Sequence, residues 1–446
     1  MKSLVFERNV ARFAAARIAA SFGSGRGAAV GPLRLLETDP PTLPGPDWGR
    51  VSPLLSGICG SDLATLDGRS SRYFEDVVSF PFVPGHEVVG ILDTPPGAPH
   101  TGEPPPGVPR PVAVGDRVVI EPVLGCAARG IDPPCDACAD GLLGNCERIA
   151  FGHLAPGLQT GYCADTGGGW SSAGLVAHTT QLHRVPDGLR DADAVMVEPT
   201  ACAVHSVCRA GIGDGDTVAV LGAGTLGLGV VAAVTTLGAT GRVPAPGELL
   251  VGARYAHQRQ LAARFGATAA LPPAQLHRAV RRRSGALSLG DPTKGARSAT
   301  LTGGADVVFD CVGSAESIAQ SLAMVRPRGR VVLVGMPGKV HVDLASLWQR
   351  EVQLAGAYAY GTEMFEGGLR ARTFDLAFEV VGAHQLGDLV SATYPIDRFE
   401  DALAHAGTAG RRGAVKIAFD LRHGRPHPGH PAWRGESLPG TEEVAQ

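Results

Sequence analysis

Four cysteines, Cys126, Cys135, Cys138 and Cys146, fall within 21 residues as C-x8-C-x2-C-x7-C on a Gly- and Pro-rich stretch. Four thiolates suit a tetrahedral zinc in a closed structural site, which can hold a long lobe that has no core of its own. A second set is spread more widely: Cys59 stands in Gly57-Ile58-Cys59-Gly60-Ser61-Asp62, and 27 residues later His86 stands in Gly85-His86-Glu87. One thiolate, one imidazole and one carboxylate could form the protein side of a catalytic zinc, which needs a position left open for substrate. A third acid, Glu198, lies in Val197-Glu198-Pro199-Thr200-Ala201. Its spacing is compatible with a metal ligand and equally with half of an interdomain salt bridge.

Val218-Ala219-Val220-Leu221 leads into Gly222-Ala223-Gly224-Thr225-Leu226-Gly227 and then into an apolar, helix-compatible run. Strand, G-x-G-x-x-G turn and helix in that order form a dinucleotide site: Gly222 for the tight turn, Gly224 for approach of a pyrophosphate to the helix N-terminus, Gly227 for close helix-sheet packing. NAD calls for a carboxylate at the end of the next strand. Here Leu250-Val251-Gly252-Ala253-Arg254 ends without one, and Arg254 offers a charged fork suited to a 2'-phosphate. NADP is therefore expected over NAD.

The elements that must hold these groups change character along the chain. From Leu4 to about Glu198, short β-like runs such as Val88 to Leu92 and Arg117 to Ile120 alternate with Gly and Pro, which reads as an antiparallel, loop-rich domain. The Pro-rich stretch from Pro95 to Pro111 reads as an exposed, inserted loop. After Glu198, the apolar runs Thr217 to Leu221, Leu249 to Gly252, Asp306 to Asp310 and Arg330 to Gly335 alternate with Ala-rich helical stretches, the pattern of a doubly wound parallel sheet. Residues 281 to 300 read as an Arg- and Gly-rich surface loop, and the polar tail from His423 as disordered. The expected division is a mostly antiparallel β catalytic domain over 1–190, completed by 359–422, a dinucleotide-binding domain over 191–358, and the tail 423–446.

At 446 residues the chain exceeds one small module, and 40 Lys plus Arg against 43 Asp plus Glu gives a net charge of -3, no electrostatic footprint for nucleic acid or anionic membrane. A small-molecule substrate is expected. No apolar run reaches the roughly 18 residues of a membrane span, and Glu7, Arg8, Arg12 and Arg17 interrupt any leader-like core in the first twenty residues. With nine cysteines and no leader, a reducing, cytoplasmic setting is expected.

The ordered series Gly57 to Asp62, Gly85-His86-Glu87, Gly115-Asp116-Arg117-Val118, the four-Cys loop, Glu198-Pro199 and the nucleotide turn resembles the zinc-containing medium-chain alcohol dehydrogenase family over about Lys2 to Leu421. Glu198 in place of a third-ligand cysteine resembles the sorbitol, threonine and glucose dehydrogenase branch. The resemblance implies an α/β protein with a GroES-like catalytic domain, a Rossmann domain and an active site in the cleft between them, assembled as a homodimer or homotetramer. It implies two zinc ions: a catalytic one on Cys59 and His86, with Glu87 and Glu198 as direct or water-mediated ligands, and a structural one on Cys126, Cys135, Cys138 and Cys146. Ser61 matches the hydroxyl that takes the alcohol proton. The histidine that often continues this relay is missing, since its place reads Leu63-Ala64-Thr65, so Asp62 and Glu87 enter as further candidates. Ala253, Arg254, Cys311, Val312 and Gly335 join the glycine turn in the cofactor pocket, Cys311 as wall rather than nucleophile. The implied reaction is reversible hydride transfer between a secondary alcohol, polyol or amino alcohol and NADP(H) or NAD(H). A zinc-free quinone or enone reductase and a non-catalytic nucleotide-binding relative are the alternatives.

Overall fold

In a computed structural model of the chain, residues 1–95, 112–290 and 299–422 are described. The Pro-rich loop from residue 96 on, residues 291–298 and the tail from His423 lie outside them. The described residues form two compact units, one within 1–198 together with 385–422, and one within 199–384. Residues 191–198 thus cluster with the first unit and 359–384 with the second, each on the other side of the expected boundaries.

The first unit opens with β1 (Lys2–Phe6) paired antiparallel to β2 (Leu33–Glu37). The helix Val10–Ala20, capped by Asn9 accepting from the Arg12 amide at 3.0 Å, is inserted between them, where a loop-rich reading left no helix. The segment after it is tied to the buried Asp67 carboxylate, which accepts from the Ser24 hydroxyl at 2.8 Å and from the Gly25 amide. Asp67 in turn ends the helix Gly60–Leu66 that carries Ser61 and Asp62. Then follow β3 (Trp48–Gly57), β4 (Val88–Thr94), β5 (Arg117–Ile120), β6 (Leu175–His178) and β7 (Leu182–Arg184). Every residue of β4 from Val88 to Leu92 is buried, as an apolar run without alternation requires.

The second unit is built on β8 (Thr217–Leu221), β9 (Glu248–Gly252), β10 (Ala269–Leu271), a small pair β11 (Ser288–Leu289) and β12 (Thr300–Leu301), then β13 (Ala305–Asp310), β14 (Val325–Leu333) and β15 (Gln353–Gly356). A further antiparallel pair, β16 (Thr362–Met364) and β17 (Arg370–Arg372), precedes the helix Thr373–His384. The main sheet is parallel throughout, in the order β10-β9-β8-β13-β14-β15. That is the 3-2-1-4-5-6 order of a Rossmann sheet, whose switch point lies between β8 and β13. Its helices fall into two packed groups, Thr225–Ala239 with Ala256–Arg264 and Thr373–His384, and Pro273–Ser284 with Ala315–Met324. The stretch read as a loop at 281–300 is therefore helix up to Ser284. Its three arginines, Arg281 to Arg283, occupy the last turn, where positive charge meets the helix dipole, while Leu276 and Val280 are buried.

The chain then returns to the first unit with β18 (Val390–Pro395) and β19 (Lys416–Asp420), giving the order β18-β19-β3-β4-β5-β7 with β6 paired to β3. All neighbours are antiparallel except β18 and β19, which run parallel.

Beside this sheet the four-Cys lobe has a polar centre. Arg129, 0% exposed, donates from Nε to the Leu124 carbonyl at 3.0 Å, from Nη1 to Phe151 at 3.0 Å and from Nη2 to Gly157 at 2.6 Å. Longer contacts of 3.4 Å reach the carbonyls of Leu154 and Ala155. A buried cation is tolerated because carbonyl dipoles replace its hydration, and the same bonds close a turn whose backbone would otherwise be unsatisfied. Replacing Arg129 by Met should cost about 3 kcal/mol of stability or more, because several buried carbonyls lose their donor at once; denaturant unfolding of the zinc-loaded protein measures this.

Candidate active site

Strand β3 delivers Cys59, and its end is stitched on both sides. The Gly57 amide donates to the Glu87 carbonyl at 2.8 Å, and the Ile58 amide to the Ile417 carbonyl of β19 at 2.9 Å. These two bonds bring residues 59, 86–87 and 416 to one place. The turn holding His86 is clamped by the segment Gly161 to Trp170: the Gly169 amide donates to the Gly85 carbonyl at 2.8 Å and the Trp170 amide to Pro84 at 2.9 Å. Gly85 has φ +97°, and a Cβ there would lie 2.4 Å from the Trp170 ring, so only glycine fits. Trp170, fully buried, donates its indole N–H to the Gly57 carbonyl at 3.2 Å; the Gly run beside it is thus a brace for the metal-site loops.

Ligand atoms of Cys59, His86 and Glu87 lie within 4.8 Å of one another. Glu198, 4% exposed on the helix Val197–Ala210, does not join this cluster. Its charge acts instead on Lys416. Lys416 was not anticipated from the sequence, although a lysine inside the apolar run Val415 to Phe419 was a signal that a buried partner exists. Its side chain, 2% exposed, forms an ion pair with Glu87 Oε2 and donates to the Ile58 carbonyl at 3.3 Å. Burial opposes its charge, but Glu87, Cys59 and Glu198 together hold its pKa above the usual lysine value.

Asp62 orients the site from behind. Its Oδ2 accepts from the Cys59 amide at 3.0 Å, and its Oδ1 lies 3.4 Å from His86 Nδ1. Burial disfavours the imidazolium, yet Asp62 and the Cys59 sulfur outweigh it and push the His86 pKa well above its usual range. Ser61, half-buried in the first turn of the same helix, stands beside Cys59. The donor set of thiol, imidazole and carboxylate, concentrated and buried, fits zinc.

The second set fits as well. Sγ atoms of Cys126 and Cys146 are 3.7 Å apart and those of Cys135 and Cys146 4.0 Å, against an edge of about 3.8 Å for four sulfurs at the usual zinc distance. All four are mutually within 4.8 Å. Amides of Cys126, Cys135 and Arg148 point at sulfurs of Cys138, Cys126 and Cys146 at 3.4 to 3.5 Å. Donation from Cys138 and from the Arg148 amide pulls the Cys146 pKa below the usual thiol value against the opposing effect of burial. The eight residues between the first two cysteines leave the four sulfurs together.

In the second unit, the helix Thr225–Ala239 starts directly after Gly224. Gly222 has φ +95°, and a Cβ on Gly227 would lie 1.8 Å from the Gly222 carbonyl oxygen. Space beside Gly224 is open within 4 Å, the cradle a pyrophosphate needs. The Cys311 amide donates to the Leu221 carbonyl at 3.0 Å, which sets Cys311 and Val312 beside the glycine turn at the switch point. Asp310 joins the next loop, its carbonyl accepting from Val334 and Gly335 at 2.9 and 3.0 Å. Burial and Asp310 push the Cys311 thiol up, which suits a wall and not a nucleophile. The acid on β9, Glu248, is at its far end and pairs with Arg283 at 2.7 Å. At the near end Arg254 is exposed, and Arg259 fixes the turn by donating to the carbonyls of Ala253 and Arg254 at 3.0 Å. His205 pairs with Glu363 at 2.7 Å, and Thr373 donates to the same carboxylate at 2.6 Å. Cys163 is buried, whereas Cys202 and Cys208 are partly exposed.

Two family models match the chain: the alcohol dehydrogenase GroES-like domain over residues 45–187 and the zinc-binding dehydrogenase domain over 226–373. The chain belongs to the zinc-binding alcohol dehydrogenase family. The enzyme is accordingly an alcohol dehydrogenase-type oxidoreductase with a GroES-like domain and a Rossmann domain. It is 26% identical to the sorbitol dehydrogenase of Bacillus subtilis over 374 residues, covering 82% of this chain and 89% of that one. Its fold matches a putative zinc-binding dehydrogenase of Sinorhizobium meliloti bound to NADP, with TM-score 0.61, 24% identity and coverage of 87% and 95%. It also matches an alcohol dehydrogenase of Escherichia coli complexed with NADH, with TM-score 0.65, 20% identity and coverage of 94% and 99%. No helix among the described residues is long and apolar enough to cross a membrane.

Lys416→Met should destabilise the zinc-free enzyme by about 3 kcal/mol, because it strands a buried carboxylate, and the zinc-loaded enzyme by less; paired thermal melts test the difference. Arg254→Ala should weaken NADP binding roughly 10-fold to 100-fold and leave NAD nearly unchanged, read by nucleotide titration of each form.

Proposed function

We propose that the enzyme oxidises a polyol or related secondary alcohol, and reduces the matching ketone, with NADP(H) preferred over NAD(H). The observation that carries this reading is the Cys59, His86 and Glu87 cluster, a buried, mixed-donor set in the GroES-like unit. The family, and a sorbitol dehydrogenase as relative, support the substrate class. The exposed Arg254 at a strand end without a carboxylate supports the cofactor preference. Cys59 and His86 would hold the catalytic zinc with one carboxylate, either Glu87 directly or Glu198 in its stead, and Cys126, Cys135, Cys138 and Cys146 the structural one. When bound, zinc acidifies a substrate hydroxyl or polarises a carbonyl, and the nicotinamide exchanges hydride with the substrate carbon.

The chain's own residues do the rest. Ser61 Oγ would relay the hydroxyl proton, accepting it during oxidation as its own proton passes to water or a cofactor ribose hydroxyl and reversing both transfers during reduction, since it stands two residues from Cys59 at the start of the helix. Asp62 holds the imidazole of His86 in one orientation. Lys416 balances the charge of Glu87 from the side of β19. Gly224 and the helix it starts receive the pyrophosphate, and Cys311 and Val312 wall the nicotinamide side. The nine cysteines carry no disulfide, which supports a reducing, cytoplasmic setting.

Zinc content per chain tests this directly. Wild type should hold two equivalents and Cys59→Ala one, with turnover of polyols in the presence of NADP lost and nucleotide binding kept. One equivalent in both proteins would overturn the zinc-dependent reading.

A further inference from the structure

Tyr162 has no part in the reading above, yet it reaches the metal site from a segment a hundred residues away. Its phenol donates to Asp62 Oδ1 at 3.1 Å. That is the same oxygen that lies 3.4 Å from His86 Nδ1, while Asp62 Oδ2 is taken by the Cys59 amide at 3.0 Å. The carboxylate, 2% exposed, is therefore held at three points, two of them on residues assigned to zinc and the third on Tyr162. The buried His86 Nδ1 has no hydrogen-bond partner of good geometry and is faced by Asp62 Oδ1 at 3.4 Å. Rotation of Asp62 would take that oxygen away from the ring.

The phenol is itself fixed. Its ring packs against Phe82, centroids 5.2 Å apart, and Phe82 stacks on Phe6 at 5.0 Å. Thr65 Oγ1 lies 3.5 Å from the phenol oxygen and 3.0 Å from Ser70 Oγ. The space lined by Phe6, Asp62, Thr65, Phe82 and Tyr162 has no room for a water molecule. With the phenol in place, no solvent molecule shares that space. Burial and the charge of Asp62 also keep the phenol protonated, so it is a permanent donor.

We propose that Tyr162 is a positioning residue for the zinc site: its hydroxyl pins Asp62, and Asp62 keeps His86 aimed at the metal. The proposal rests on the zinc-dependent reading. Partners of ligating histidines set both ring orientation and metal affinity, and here the partner needs a partner of its own because one of its oxygens serves two donors in a dry pocket.

Tyr162→Phe removes the hydroxyl and keeps the ring, so packing on Phe82 survives. With the holoenzyme, release of zinc to a competing chelator should become about 10-fold easier from the Cys59 site and stay unchanged at the four-Cys site. In enzyme whose catalytic zinc is replaced by cobalt, the thiolate-to-cobalt absorption band should shift, a signature that general loss of stability would not produce. Asp62→Asn serves as the stronger reference. Two zinc equivalents in wild type with Tyr162→Phe indistinguishable from it in release and spectrum would overturn the proposal alone. A single zinc in wild type, insensitive to Cys59→Ala, would overturn the zinc-dependent reading and this proposal with it.

Discussion

A carboxylate sealed beside a thiol and an imidazole must be matched by positive charge, and in this protein Glu87 is matched by Lys416. An unpaired charge there would be more costly than most single packing defects, so strand β19 and the turn that precedes β4 cannot drift apart without a penalty of several kcal/mol. The rest of the first unit follows from that constraint. Strand β19 must return late in the chain to lie beside β3, and β3 must end between β19 and the His86 turn. The last residues of the described chain are thereby part of the metal site rather than an appendix to it.

Around that pair the structure orders its polar groups in layers. Cys59, His86 and Glu87 face one another, Asp62 and Lys416 stand behind them, Tyr162 and the Ile58 carbonyl hold those in turn, and Trp170 holds the Gly57 carbonyl at the end of β3. Each outer contact satisfies a group that burial would otherwise leave without a partner. In the four-Cys lobe the buried Arg129 is likewise satisfied, its guanidinium solvated by carbonyl dipoles of the turn it closes. The Asp67 carboxylate, binding the segment inserted between β1 and β2, secures the far end of the helix that carries Ser61 and Asp62.

In the second unit the constraint is steric instead. Close approach of the helix Thr225–Ala239 to the end of β8 leaves no space for a side chain on Gly227, and the open space beside Gly224 is what remains for a ligand. The bond from Cys311 to Leu221 then joins the two loops on either side of the switch point. At a neighbouring strand end Arg254 stands free of any carboxylate ion pair among the described residues.

Much of this was legible in the residues alone, because zinc ligands, glycine turns and strand-helix alternation are chemistry at short spacing. Cys59, His86 and Glu87, the four-Cys set and the nucleotide turn carry their meaning within a few residues of themselves, and the structure gathers each set as its types required. The helix Val10–Ala20 and the last turns of Pro273–Ser284 were hidden because Arg-rich, Ala-rich stretches resemble loops until it is known which side chains a neighbour buries. Glu198 could be read as a ligand or a salt-bridge partner, and only the fold sets it apart from the three clustered ligand atoms and near Lys416. Lys416 meets Ile58 across 358 residues, and Tyr162 meets Asp62 across 100. No local pattern encodes such contacts. Sequence determined which atoms could do the chemistry; tertiary structure decided which charges and hydroxyls stand behind them, because burial and partner distance exist only once the chain has closed on itself.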